Sequence, residues 1–530
     1  MCAEVLILVR TTTLESEIAE LRDLVRALMA SSEKSAERTV ALERENKILR
    51  DELAILKQGL FGRRSERIEA GQLNLYHADG VEPPAPPPQE IAAHERAKPA
   101  PGHGRARFAE HLPREVIELD VPEAKRICPD CGKPMHSIGA DTSERGHIVP
   151  ARIVVRRYVR AKYACPDGHA VVTADAPAGV IDGAKYEASV YAHVAVAKYA
   201  DHQPLHRLEG MFKRHGVHLP KQTMWSMLDT LDGVMVQPVL RQMHKEMLEE
   251  PVLHGDETPV TMRVEDGSGS RDGWAWGWRN LHGVGPSKVL IEFRVSRSRD
   301  GPLSFLEDWS GTLITDGYSG FNEVVERNDI VRAGCWAHAR RYLKQAFDTG
   351  ARNAAHALAP IQRLFAIERA LTNRAKAREL ERDAFVELRR RVRQRRSKKL
   401  VALIVERADE LSRLRSTLPK SKLGKAVKYV LRQQKPLSTF LDDARIPIHN
   451  NDEERDLRHL KLGKKNWQIL GSERGGQVAC RLYSLVLSCK QADVDPQAYI
   501  EDVLGRLSTT KASDIAQLTP WAWAAARKMN

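Results

Sequence analysis

The stretch Glu250–Arg263, "EPVLHGDETPVTMR", decides how the chain is read. It opens apolar, carries Val and Thr at strand-like spacing, and sets Asp256 in its middle. Two more strand candidates follow it, "GWAWGWRN" (Gly273–Asn280) and "SKVLIEFRVSRS" (Ser287–Ser298). Their aromatic and β-branched content, with turn residues between them, predicts three successive strands. "GPLSFLEDW" then reads as a helix, "GTLITDGY" as a buried strand and "YSGFNEVVER" as a helix; "DIVRAGCWAHARR" is a strand running into a helix. Three strands followed by alternating helix and strand predict an α/β core with a mixed sheet.

Two acids stand out in this block. Asp256 follows an apolar strand start, and Asp316 ends "GTLITD". A carboxylate at the end of a buried strand is costly unless it is paired or holds a metal. A third acid, Glu454, lies in "IPIHNNDEERDLRHLKLGKKNW" (Ile446–Trp467), a basic stretch with three consecutive acids. Three such carboxylates could hold divalent ions for phosphodiester displacement, and Mg²⁺ suits carboxylate and phosphate oxygens. Each acid alone also has a structural reading. Asn451 precedes a helical run as an N-cap candidate, which makes Glu454 a capping-box acid. Lys461 falls two helical turns beyond Glu454, on the same face, where it can meet DNA phosphate. Arg455, Lys464 and Lys465 are further DNA-binding candidates on this run.

Outward from this core the chain is modular. The 530 residues carry 83 basic and 70 acidic side chains, a net charge of +13. A basic chain of this size points to a polyanionic partner such as nucleic acid. No apolar run is long enough to span a bilayer, and the N-terminus lacks the marks of a signal peptide, so a cytoplasmic location is expected. The seven cysteines do not read as a disulfide framework.

Residues 10–62 are expected to form a coiled coil. Leu14, Leu21, Leu28, Leu42, Leu49 and Leu56 occupy position d, and Ile18, Val25, Asn46, Leu53 and Leu60 position a. Such a zipper predicts a homo-oligomer; a long helix packed on its own chain is the alternative. A Pro-rich linker ("VEPPAPPPQE") covers 77–111. Residues 112–180 read as a small zinc-binding β module. Cys128 and Cys131 form a metal knuckle, Cys165 and His169 a second pair, and "RIVVRRYVRAKYAC" a β-like segment returning Cys165 to the first. Two close pairs of this kind fit structural Zn²⁺. Residues 185–248 read as helical, with a helix-turn-helix-like pair that turns at Gly216 and restarts near Pro220. Residues 340–440 read as charged helices ("ELRRRVRQRRSKK"), mostly a solvated face. Residues 481–530 read as a C-terminal helical tail. Cys335 and His338 fit either a core pair or a contribution to the site.

These motifs, in this order, resemble the transposases of the insertion sequence sixty-six family, a branch of the DDE transposases. The resemblance runs from the zipper and "LFGRRSER" through "CPDCG", "YAHVAVAKYADHQPLHRLE", "HGDETPV", "TDGYSGFN" and "CWAHARR". It continues to "NNDEERDLRHLKLGKKNW", "GSERGG" and the Pro-Trp-x-Trp tail. It implies an RNase H-like catalytic core over 249–480, with a helical insertion at about 340–440. It also implies Asp256, Asp316 and Glu454 as a DDE triad using Mg²⁺. The expected activity is strand cleavage at terminal inverted repeats and transfer into target DNA, with possible accessory proteins of the element. The family's second zinc pair reads Cys-x2-Cys; here Gly168 stands at that spacing and His169 follows it. The rival readings are a non-catalytic DNA-binding regulator, an interaction protein built on zipper and zinc module, and an inactive transposase copy.

Overall fold

The computed structural model describes residues 153–528, with breaks at 165–170, 178, 182, 265–268, 282 and 284, and scattered positions before 153. Cys128, Cys131, Cys165 and His169, the linker at 77–111 and most of the zipper lie outside the described residues. Within the zipper, Leu49 and Leu53 are half exposed, while Glu52 is buried with its carboxylate 2.9 Å from His356 Nδ1.

The segment read as β-like before Cys165 is strand only over β1 (Lys162–Ala164), which pairs antiparallel with β2 (Val171–Thr173). Val154, Val155 and Val159 before it are exposed and form no ladder. β-branched residues favour strands only where a partner and a packing face exist.

Four helices follow: α1 (Ala188–Tyr199), α2 (Leu205–Arg214), α3 (Lys221–Leu231) and α4 (Gln237–Met247). Gly216 makes the turn between α2 and α3 with φ +78°, a value that L side chains adopt only with strain. The central sheet comes next: β3 (Val252–Arg263), β4 (Ser270–Asn280) and β5 (Val289–Arg294) form an antiparallel run. After α5 (Asp300–Leu306), β6 (Thr312–Thr315) joins β3 in parallel; after α6 (Asn322–Arg327), β7 (Val331–Gly334) joins β6 in parallel. The strand order is β5-β4-β3-β6-β7.

Local chemistry explains the sheet. On β4, Trp274, Trp276 and Trp278 recur at the strand period of two and share a face. Trp276 and Trp278 are fully buried, and Trp278 stacks on Phe305 of α5 with centroids 4.3 Å apart. Gly273, Gly277 and the other alternate residues face the opposite side. β5 is an edge strand, but it is not bare. Its backbone N–H at Ile291 donates to Ser484 Oγ at 2.7 Å, and Ser488 Oγ donates to Val289 O at 3.0 Å. A helix that covers an edge and answers its backbone groups removes an aggregation hazard.

Beyond β7 the chain is helical: α7 (Trp336–Asp348), α8 (Ala355–Ala377), α9 (Arg382–Val392), α10 (Lys398–Arg413), α11 (Lys422–Arg432) and α12 (Gln434–Asp442). This block is not only a solvated face. Arg393 is fully buried and bonds Glu368 of α8. Then come α13 (Asn451–Trp467), α14 (Glu473–Gln491), α15 (Pro496–Leu507) and α16 (Pro520–Lys528). The boundary expected between 480 and 481 falls inside α14, whose Ser484 and Ser488 hold β5. The last fifty residues pack as core instead of trailing as a tail: Tyr483, Tyr499 and Trp523 share one apolar cluster with the sheet and with α1–α4. A second cluster joins the sheet to the α7–α12 block. Among the described residues, no helix is long and apolar enough to cross a membrane.

Candidate active site

Three separate elements bring the expected acids together. β3 and β6 run parallel with His254 opposite Ile314, so Asp256 and Asp316, each two residues further on, lie level. Oxygens of Asp256, Glu257 and Asp316 lie within 4.8 Å of one another. Glu454 comes from the first turn of α13. All four line one cavity of about 320 Å³, with Trp274, Arg297, His338, Arg341 and Lys461.

The acids crowd one another. Burial pushes the Asp256 carboxyl well above the ordinary carboxylate range, and Asp316, Glu257 and Glu454 push it the same way. Burial and Asp316 also raise Glu257, against the pull of Arg297. Arg297 donates from Nε to Glu257 Oε1 at 2.9 Å and lies over the Tyr318 ring at 3.9 Å and the Trp274 ring at 4.8 Å. Arg341 donates to Glu454 Oε2 at 2.8 Å. Arg341 also meets His338 Nε2 at 3.1 Å. A guanidinium only donates, so Nε2 is the acceptor and the imidazole proton sits on Nδ1. That nitrogen is 3.7 Å from Glu454 Oε1, too far for a hydrogen bond, and burial lowers the His338 pKa. The donor set is therefore hard carboxylate oxygen, close-set and under-compensated, which fits a divalent cation of the Mg²⁺ type.

The supports of these acids are specific. Asn450 stitches the start of α13 to β3: its Oδ1 accepts from His254 Nδ1 at 2.6 Å, and its Nδ2 donates to Gly255 O at 3.1 Å. Its backbone N–H meets the buried Cys335 thiol at 3.2 Å. This corrects the capping expectation. The residue before the helix is Asn450, not Asn451, and its side chain makes no cap bond. The helix start is packed against β3, so the amide serves tertiary bonds, and Glu454 turns to Arg341 and His338 instead of capping. Tyr318 N donates to Asp316 Oδ1 at 2.8 Å, and Tyr429 of α11 donates to Asp316 O at 2.5 Å. Cys335 thus belongs to the core and His338 to the cavity.

Gly277 sets how closely α13 can approach. It lies opposite Asp256 in the β3–β4 ladder. A Cβ there would stand 1.9 Å from Glu453 Oε1 and 2.9 Å from Leu457 Cδ2. Gly277→Ala is expected to lift the first turn of α13 and destabilise the fold by about 1–3 kcal/mol, the scale of an overpacked core. Glu453→Ala in the same chain should restore part of that stability by freeing the space. Melting temperatures of the two single variants and the double variant check this; strictly additive losses would count against it.

Of the basic candidates, Lys461 lines the cavity. Arg455 is exposed and pairs with Asp452 at 3.3 Å. Lys465 is exposed and Lys464 partly so; no acidic partner meets either among the described residues. Glu257, Arg297, Arg341 and Tyr429 were not singled out from sequence. Arg341 was legible as one helical turn from His338 in "CWAHARR", and Glu257 as the neighbour of Asp256. Nothing in the sequence pointed to Arg297 or Tyr429.

Comparison with known proteins gives this geometry a lineage. Residues 183–478, which contain all three acids, match the family model described as Transposase IS66 family. Residues 125–167 match the zinc-finger binding domain of transposase IS66, which supports zinc binding there; the match takes in Cys128, Cys131 and Cys165 and stops short of His169. Residues 484–521 match the IS66 C-terminal element, and 48–117 a model described as Transposase C of IS166 homeodomain. Two uncharacterized proteins of Sinorhizobium fredii (strain NBRC 101917 / NGR234) are similar over most of their length. The protein y4qI is 31% identical over 493 residues, 88% of this chain and 87% of its own. The protein y4jD is 30% identical over 497 residues, 90% of this chain and 94% of its own. With its main match spanning more than half its length and flanked by family-specific modules on both sides, the chain belongs to the Transposase IS66 family.

Proposed function

We propose that this chain is a DDE transposase, an enzyme that cuts DNA at the ends of its element and joins the freed 3′-hydroxyl to target DNA. The observation that carries the reading is the meeting of Asp256, Asp316 and Glu454, from three elements far apart in sequence, in one cavity rimmed by Arg297, Arg341 and Lys461. The fold supports it. An RNase H-like core is built on three antiparallel strands followed by two parallel ones, and the order β5-β4-β3-β6-β7 has that form.

Asp256, Asp316 and Glu454 would hold Mg²⁺, with Glu257 within reach. Mg²⁺ bound there supplies Lewis acidity at the scissile phosphate and lowers the pKa of water. Arg297, Arg341 and Lys461 draw the phosphate in and offset its charge. In each step one P–O bond forms as another breaks: water displaces the strand at the element end, then the 3′-oxygen displaces a target phosphodiester. His338 stands beside Glu454, its Nδ1 3.7 Å from Oε1, and burial disfavours its charged form, so it adds little positive charge where the cation would sit.

The zinc module, with Cys128, Cys131, Cys165 and His169 as its ligands, and the α2–α3 pair would recognise the terminal inverted repeats. Residues 10–62 would pair two chains on two ends, since the seam residues Leu49 and Leu53 are half exposed; sedimentation of the intact chain checks this.

The test joins metal binding to cutting. Mg²⁺ should raise the melting temperature, because a ligand at 100 times its dissociation constant adds about 2.7 kcal/mol. It should also permit nicking of DNA carrying the element's ends. Asp256→Asn should lose both effects. Nicking at the parental rate by Asp256→Asn, or by the parent in excess chelator, would refute the reading.

A further inference from the structure

A second cavity, of about 580 Å³, opens on another part of the chain. Lys198 of α1, Arg207 of α2, Lys221 and Trp225 of α3, and Trp467 of α13 line it, and no carboxylate does. The amino ends of α2 and α3 both meet there, each preceded by a proline, Pro204 or Pro220, that gives no side-chain cap. First-turn N–H groups without caps are ready donors to an anion. The second observation is Lys198 itself. It makes no hydrogen bond or ion pair among the described residues; its ammonium lies 5.5 Å from the centroid of the Tyr199 ring, and burial pulls its pKa down to about 8. A part-buried charge held against an aromatic ring, with no anion beside it, is under-compensated. Its place in an otherwise cationic cavity identifies what would compensate it.

We infer that this cavity is a subsite for one nucleotide of a DNA strand, its phosphate held by Lys198, Arg207, Lys221 and the helix ends, and its base against Trp225 or Trp467. Cationic side chains interleaved with aromatic rings are how proteins hold a strand without reading its sequence. The volume suits a nucleotide-sized ligand. The link to the active site is α13: Glu454 stands at its start and Trp467 at its end. Thirteen residues at 1.5 Å each span about 20 Å, which is about six base-pair steps of duplex. The subsite would therefore grip DNA at a fixed register from the cutting site, and to that extent it rests on the proposed function.

Fluorescein-labelled 40-mers, duplex and single-stranded, titrated by anisotropy against the full chain and its Lys198→Met and Lys221→Gln variants, test it. Each variant is expected to bind about tenfold more weakly, with the slope of log affinity against log salt shallower by about one. Lys198→Met should melt no lower than the parent, because it removes an under-compensated charge and keeps a flexible apolar side chain against the Tyr199 ring. Parental affinity and salt slope in both variants would overturn the inference, as would a Lys198→Met protein that melts lower yet binds normally. A parent that binds no DNA would defeat this inference and the proposed function together. A parent that binds but never nicks, with weaker variants, would remove the catalytic reading and keep the subsite.

Discussion

Glu454→Gln is expected to fold, to bind terminal DNA, and to cut it about 10³-fold more slowly, a loss of about 4 kcal/mol of transition-state stabilisation. The side chain keeps its shape and can still meet Arg341, which donates to one Glu454 oxygen. What it loses is the charge needed beside Asp256 and Asp316. The neighbouring Glu453→Gln separates this from a general effect on the helix. Glu453 is fully buried against Gly277, with neither oxygen hydrogen-bonded among the described residues. Burial, reinforced by Asp456, pushes its carboxyl well above the ordinary range. Burial already disfavours its charge, so an amide in its place changes little electrically, and cutting should stay within about tenfold of the parent; tenfold corresponds to about 1.4 kcal/mol. Nicking of end-bearing DNA in Mg²⁺ checks both variants. Parental cleavage by Glu454→Gln would mean the acid cluster is only a helix start.

Glu368→Leu should be the most damaging change far from the cavity. Burial works to raise the Glu368 carboxyl, but Arg393 and Arg389 outweigh it and hold it below its usual range. Arg393, wholly buried, also donates to the carbonyls of Phe440 and Ile446, at 2.8 and 2.9 Å. Burial lowers its pKa to about 10, so it stays charged at neutral pH. Removing the acid strands that charge, which costs about 3–5 kcal/mol when a buried pair is broken. Thermal melting should fall, and hydrogen exchange in α8–α12 should rise first. Cleavage should fall too, because Tyr429 from this block holds the Asp316 backbone. An unchanged melting temperature would show that the ion cluster contributes little.

Much of this was legible in the sequence, and particular residues show where legibility stopped. The strands around Asp256 and Asp316 could be read because their apolar runs and turn residues are local signals. So could the α2–α3 turn at Gly216, where one glycine answers one backbone need. The shared face of Glu454 and Lys461 followed from helical period alone. Arg297 and Tyr429 could not be found this way, since each reaches the site through a loop or helix whose position is tertiary. Asn450 was missed for the same reason: local rules read an asparagine before a helix as a cap, and here burial against β3 redirects its amide. Nothing local marked Glu453 as buried; the space that holds it is opened by Gly277, from a strand far away in sequence. The "ELRRRVRQRRSKK" run hid Arg393 because no pattern marks which arginine in a charged helix turns inward.

The order of the three acids along the chain has a consequence in time. Asp256 and Asp316 belong to strands that leave the ribosome early, while Glu454 waits behind the whole α7–α12 block. Translation at about 5–20 residues per second puts roughly 10–40 s between the first acid and the last. Only once β7 is made does the nascent chain have its five strands and two of its three proposed ligands. A message broken inside the interval yields a chain that lacks the third acid and also α14–α16, whose Tyr483, Tyr499 and Trp523 complete the core around α1–α4 and whose serines hold the β5 edge. Such fragments would leave that core and that edge open, so damaged copies of the gene would be cleared by proteolysis and would not compete with intact ones.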